Sequence, residues 1–193
     1  MQQNHFSAAY DSLRYFLIQQ GLSEAQVNAA QTHLTPIQLN SGDLLLRQGD
    51  KQSQVFFIVS GILKACHYTH SGNVFSKEFY FEHELCLLFC SWLTQAPAHY
   101  QIESIEDSVV IPLPLFLLSQ ADWQPVKISL LSQQLIYKEE KEEFFLLNTP
   151  EQRYLHLLNH RPMWVDKLNN IQLASYIGIS PVSLSRLKSR LAI

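Results

Sequence analysis

Asn170-Ile-Gln-Leu-Ala-Ser-Tyr-Ile-Gly-Ile-Ser-Pro-Val-Ser-Leu-Ser-Arg-Leu-Lys-Ser-Arg190 reads as two short helices joined by a turn. Helices that cross steeply need a small residue at the contact, a residue tolerant of positive φ in the turn, and apolar residues locking both to a core. Ala174 supplies the first, Gly178 the second, and Leu173, Ile177, Ile179, Leu184 and Leu187 the third. Ser180 caps the second helix, and Pro181 takes its first turn, where a missing N–H costs nothing. The outward positions are then Val182, Ser183, Ser185, Arg186, Ser189 and Arg190, small, polar or cationic residues suited to a DNA major groove. Arg186 can make a bidentate contact to guanine, Ser183 and Ser189 can bond phosphates or bases, and Val182 can touch a thymine methyl. A pair of ordinary packed helices ending a domain is the competing reading, and the cap-proline start together with the five apolar positions weighs against it.

The charge distribution points the same way. The chain of 193 residues carries a formal net charge of -3, which does not favour a polyanionic partner. From Asn148 onward, however, six cations (Arg153, Arg161, Lys167, Arg186, Lys188, Arg190) face only Glu151 and Asp166, so a basic tail follows an acidic body. Cations near DNA gain by releasing condensed counterions. Thr149 is an N-cap, Pro150 a first helical residue and Gln152 the reciprocal cap partner, so a new domain starts there; Arg161-Pro162 stops its first helix. With the chain ending at Ile193, a wing beside the helix-turn-helix has to come from Met163 to Lys167.

Toward the N-terminus, Pro125 to Leu147 holds no internal glycine or proline and predicts a helical rod of roughly 35 Å. Ile128, Leu131 and Leu135 form an apolar seam on it, opposite the charged run Lys138 to Glu143, and such a seam asks for a second copy of the chain. Further back, Gly42, Gly49, Gly61 and Gly72 punctuate short runs rich in β-branched and aromatic residues: Leu44 to Arg47, Val55 to Val59, Ile62 to Tyr68 and Val74 to Phe81, continued by Tyr100 to Ser104 and Ser108 to Pro112. Turn signals about every ten residues predict an antiparallel roll or sandwich. Asp11 to His33 reads as helical, with Ser23 and Gln26 forming a capping box within it. The expected fold class is α+β: an N-terminal antiparallel β-roll with flanking helices, a long dimerisation helix and a small C-terminal helix-turn-helix. The expected domains are residues 1–122, 123–147 and 148–193.

Over almost its whole length the sequence resembles the Crp/Fnr family of bacterial transcription regulators. The resemblance rests on Gly42-Asp-Leu-Leu-Leu-Arg-Gln-Gly49-Asp50, Phe57-Ile-Val-Ser-Gly61, Ser104-Ile-Glu-Asp-Ser108, Thr149-Pro-Glu-Gln-Arg-Tyr154, Ala174-Ser-Tyr-Ile-Gly178 and Ser183-Leu-Ser-Arg186. It implies a cyclic-nucleotide-binding-like jelly roll, a homodimer on a two-fold double-stranded operator, a recognition helix in the major groove with Ser180 at its cap, and RNA polymerase as a further partner. It also implies a small-molecule effector in the roll, around Phe79, Phe81, Glu84, Leu85, Trp92, Ala98 and His99. This sequence departs from the family's nucleotide binders there. His83-Glu84 stands for Gly-Glu, and Ala98-His99 stands for the arginine with its serine or threonine. Without that guanidinium a cyclic phosphate loses its charge-assisted pair of hydrogen bonds, so cyclic AMP is not the expected effector. Phe79, Phe81, Leu87, Phe89 and Trp92 either line an apolar pocket or fill it. Val182 stands where the family often has an acidic base-reading residue, so the operator sequence does not carry over.

Other function classes find little support. No apolar run approaches the roughly 20 residues a bilayer crossing needs, and the N-terminus lacks a signal peptide's charged and apolar regions, so the expected location is the cytoplasm. Cys66, Cys86 and Cys90 form no CxxC pair, His67 and His70 are three apart and would face opposite sides of a strand, and no metal or cofactor is expected. There is no Ser/His/Asp set, glycine-rich phosphate loop or GxSxG, so an enzyme is not expected. The remaining alternative is a ligand-binding or dimerising scaffold that does not bind specific DNA.

Overall fold

The computed structural model describes residues 2–191, which group into two units divided inside one long helix, Met1–Ser132 and Gln133–Ile193. The first unit opens with α1 (Gln2–Gln19), whose residues Ala9, Leu13 and Leu17 recur every four positions and are buried. Gly21, at φ +102°, turns the chain, and Ser23 and Gln26 cap each other's backbone to start α2 (Glu24–Gln31). The helical stretch expected from Asp11 to His33 is thus two helices, because only a residue without a Cβ readily takes the left-handed turn between them, and the first begins well before Asp11.

Eight strands follow: β1 (Ile37–Leu39), β2 (Leu44–Leu46), β3 (Gln54–Ser60), β4 (Leu63–Tyr68), β5 (Val74–Tyr80), β6 (Leu85–Cys86), β7 (Gln101–Ser104) and β8 (Ser108–Pro114), with α3 (Phe89–Thr94) between the sixth and seventh. They form two four-stranded sheets, ordered β1-β8-β3-β6 and β2-β7-β4-β5, antiparallel throughout. This is the β-roll with flanking helices expected from the glycine-punctuated runs.

The pleat of β3 explains how the roll holds together. Successive side chains point to opposite faces. Val55 and Phe57 join a core with Leu13, Leu17, Ile111, Leu113, Trp123 and Val126, whereas Phe56 and Ile58 join the roll's interior with Leu63, Ala65, Cys86, Ile102 and Val110. Burying each valine, leucine, isoleucine or phenylalanine among them contributes about 1.5–3 kcal/mol. Gly61, at φ +89°, sits where a Cβ would lie 2.1 Å from the Ser108 hydroxyl oxygen and 2.8 Å from its Cα. The segments meet there because Ser60 pairs with Val109 and the Ile105 N–H donates to the Ile62 carbonyl at 3.0 Å, while the hydroxyls of Ser104 and Ser108 both donate to the Glu106 carbonyl, at 2.6 and 2.8 Å.

After two short 3-10 turns, α4 (Gln124–Leu147) runs for 24 residues, about 36 Å. Val126 and Leu130 of α4 are buried in the first unit's core. The second unit continues with α5 (Pro150–His160), α6 (Pro162–Lys167), α7 (Asn170–Ile177) and α8 (Pro181–Leu191). Thr149 and Gln152 form the capping box that starts α5, and Asn169 with Gln172 forms another that starts α7. Among the described residues, no helix is long and apolar enough to cross a membrane.

Candidate nucleic-acid interface and effector pocket

Gly178 ends α7 in the left-handed region, at φ +80°, and the N–H groups of Gly178 and Ile179 both donate to the Ala174 carbonyl. The tight reversal this creates brings α8 across α7. Leu173, Ala174, Ile177, Leu184 and Leu187 are buried at the crossing; Ile179, expected with them, is only half-buried because it lies in the turn itself. The Ser180 hydroxyl accepts from the Ser183 N–H at 3.1 Å and caps α8. With Leu184 and Leu187 turned inward, Val182, Ser183, Ser185, Arg186, Ser189 and Arg190 are all exposed. The helical period therefore produces the polar face read from the sequence.

The cations of this unit are not equivalent. The Arg153 guanidinium donates to the carbonyls of Ile177 at 3.0 Å and Phe145 at 2.7 Å, and lies over the Phe145 ring. It ties the ends of α7 and α4 together. Arg190 pairs with Glu151, and Lys188 donates to the Asn170 side chain at 2.6 Å. Arg186 makes no hydrogen bond or ion pair among the described residues and stands in the middle of the exposed face. Met163 to Lys167 lies in α6, with Trp164 buried and packed edge-on to Tyr176, so it supplies no β-wing; Pro162 at the first helical position favours a helix instead.

The pocket residues inferred for the roll are spread over different surfaces. Ala98 is buried in the interior cluster, whereas Trp92 joins the helix-side core and Leu85 packs against it. Alternation along β5 puts Phe79 on the face opposite Tyr80, and Tyr80 packs on the interior. Phe81 is buried, and its N–H donates to the half-buried Glu84 carboxylate at 3.0 Å. His99 is exposed, with its carbonyl 3.0 Å from Nδ1 of His67. His83 takes φ +68°, a left-handed conformation that glycine adopts most readily.

What the sequence reading missed is a polar set beside the interior, Glu78, Tyr80 and Tyr100. Glu78 is 7% exposed, and the Lys77 ammonium lies 4.3 Å from the centroid of the Tyr100 ring. Burial, then the neighbouring Cys86, Tyr100, Glu78 and Glu84, pushes the Tyr80 phenol well above its ordinary value, and burial does the same to Tyr100. Both phenols stay protonated and can donate a hydrogen bond. The two-residue alternation of Glu78 with Tyr80 was the available signal.

Cys66 and Cys86 are buried and Cys90 is exposed, all as free thiols. Among the described residues, no group of three or more His, Cys, Asp or Glu is placed to hold a metal ion.

Comparison with known proteins sets these features in a class. Residues 36–119 match the family model of the cyclic nucleotide-binding domain. No curated protein matches the chain. Among solved structures, a Crp/Fnr-family protein from Eubacterium rectale aligns with a TM-score of 0.70 at 14% identity, covering 89% of this chain and 84% of that one. FixK2 from Bradyrhizobium japonicum aligns at 0.68 and 16% identity, over 82% and 84%. The c-di-GMP-responsive global regulator CLP from Xanthomonas campestris aligns at 0.64 and 12%, over 88% and 92%. The chain thus has a Crp/Fnr-like cyclic-nucleotide-binding fold, with the C-terminal helices that accompany it.

Proposed function

We propose that this chain is a DNA-binding transcriptional regulator of the Crp/Fnr type that inserts α8 into the major groove of a two-fold operator. The observation that carries the reading is the exposed Arg186, without an internal partner and flanked by Ser183, Ser185 and Ser189 on a helix whose apolar side is fully occupied. A guanidinium so placed can bond guanine bidentately, and the serines can bond phosphates.

In this reading residues 1–122 sense an effector, residues 123–147 join two copies, and residues 148–193 bind DNA. Ile128 and Leu135 of α4 are 61% and 64% exposed, and Leu131 is half-buried against the roll's core, so the first two are the residues a second copy would cover. The effector is not cyclic AMP, because Ala98 offers no guanidinium to a cyclic phosphate. RNA polymerase would be the further partner, and the cytoplasm the place of action.

The test is selection of the purified chain against a pool of random duplex DNA at two salt concentrations, followed by sequencing. Enrichment of an inverted repeat with half-sites about one helical turn apart supports the regulator and its dimer. Binding that is only salt-sensitive and sequence-independent, with and without cell extract as a source of effector, overturns it in favour of a scaffold.

A further inference from the structure

A half-open cavity of about 510 Å³ lies within the second unit, among α4, α5 and α7, with Glu140, Glu143, His156 and His160 exposed around it and no residue of α8 in its lining. Its size falls in the range of small-molecule sites, roughly 300–1,000 Å³. Its walls differ in chemistry. Residues three and four apart share a helix face, and on α4 this brings Tyr137, Glu140 and Phe144 to the cavity, with Glu143 beside them. The C-terminal end of α5 supplies His156, His160 and Arg161. Tyr176 of α7 closes the floor, 3.4 Å from Tyr137 between hydroxyl oxygens.

Several contacts hold these groups in place. The two imidazoles stack with centroids 4.4 Å apart, His156 also packs against Phe144 at 5.2 Å, and the Arg161 guanidinium lies 5.1 Å from the centroid of Trp164. Lys141, which also lines the space, has its ammonium over the Tyr176 ring at 4.5 Å, as the Arg161 guanidinium lies over Trp164. The cavity therefore presents carboxylates and an ammonium from α4, a guanidinium with imidazoles from α5, and aromatic surface between them. A phosphate would meet Glu140 and Glu143, and a simple cation would meet Arg161. A ligand carrying both signs of charge on an aromatic body satisfies all three surfaces.

We propose that this cavity is a binding site for a small aromatic zwitterion, an aromatic amino acid in its chemistry, with its ring against Phe144 and Tyr137, its carboxylate toward Arg161 and His160, and its ammonium toward Glu140 and Glu143. Because the ligand would bridge α4 and α5, occupancy would restrain the second unit at the point where α4 gives way to the DNA-binding helices. The site does not depend on α8 reading DNA.

The test is calorimetric titration of the full chain with L-phenylalanine, L-tyrosine and L-tryptophan, alongside 3-phenylpropanoate and phenethylamine, which each keep one charge. At least one amino acid is expected to bind saturably and at least tenfold more tightly than either singly charged analogue. It should shift the imidazole proton resonances of His156 and His160. Arg161→Gln should weaken it tenfold or more; His160→Gln serves the same purpose if the first variant fails to give a native circular-dichroism spectrum. Absence of saturable binding by all three amino acids overturns the proposal, as does equal binding of a singly charged analogue or full affinity in a folded Arg161→Gln variant. Loss of operator binding in the same protein would bear on the regulator reading alone.

Discussion

Arg153 and Arg186 carry the same charge and serve different ends. Arg153 donates to two helix-terminal carbonyls that would otherwise lack partners, so its contribution is to the unit's integrity. Arg190 and Glu151 form an exposed pair, the kind worth only about 0–1 kcal/mol, which a phosphate can displace. In the sequence all six tail cations look alike, because a cation that caps a helix and one that faces solvent differ only in tertiary placement. The cysteines divide by the same logic. Burial and then the Glu103 carboxylate raise the Cys66 thiol to about 11, and burial raises Cys86 as well, while Cys90 is exposed. The thiolate is the reactive form. With a chromogenic disulfide reagent at neutral pH, one thiol per chain should react quickly and two only on unfolding; the fast site should vanish in Cys90→Ser. Three fast thiols would contradict the burial of Cys66 and Cys86.

Elements here are fixed by their ends. Gly61 and Gly178 both require positive φ, but only Gly61 also faces backbone at contact distance. Gly178→Ala should cost about 1–2 kcal/mol of stability, the strain of a left-handed alanine. Gly61→Ala adds a clash with Ser108 and should cost clearly more, as a larger fall in the urea midpoint will show; equal costs would contradict the close approach at that turn. The α5 histidines add a pH dependence. Burial, then His160 and Arg161, lowers the pKa of His156 below its ordinary 6.5. As pH falls through 6.5 the unfolded chain takes up this proton first, so stability falls until the folded state titrates in turn. The urea midpoint should therefore drop between pH 7.5 and 5.5, by less in His156→Gln; an identical drop in both would assign it to other groups. Capping boxes at Ser23 and Thr149 were legible, since they depend on residues three apart. Strands β1 and β6, with three and two residues, were not: their pairing is decided by distant β8 and β3. Nor was α6, where Trp164 finds its place only against Tyr176 of α7.

At the scale of the molecule, the sequence showed which segments fold into which layers because hydrophobic periodicity and glycine spacing are local signals. The roll, the long α4 and the helix pair at the C-terminus all carry them. The lining of the roll and the cavity of the second unit are products of tertiary placement. Leu85, Trp92 and Ala98 lie close together in the sequence, yet the sheet separates the first two from the third, and Glu140 and Arg161, far apart in the sequence, line one space only in the folded unit. The charge asymmetry survives the structure in reduced form, concentrated on α8. The role proposed for this helix is to read bases. Its most direct test is the affinity of wild type and Arg186→Ala for a selected operator and for a scrambled duplex of equal length, at one salt concentration. If α8 reads bases, the variant folds, keeps nearly all its affinity for the scrambled duplex, and loses about 1–3 kcal/mol of preference for the operator. Undiminished discrimination by the folded variant would contradict it.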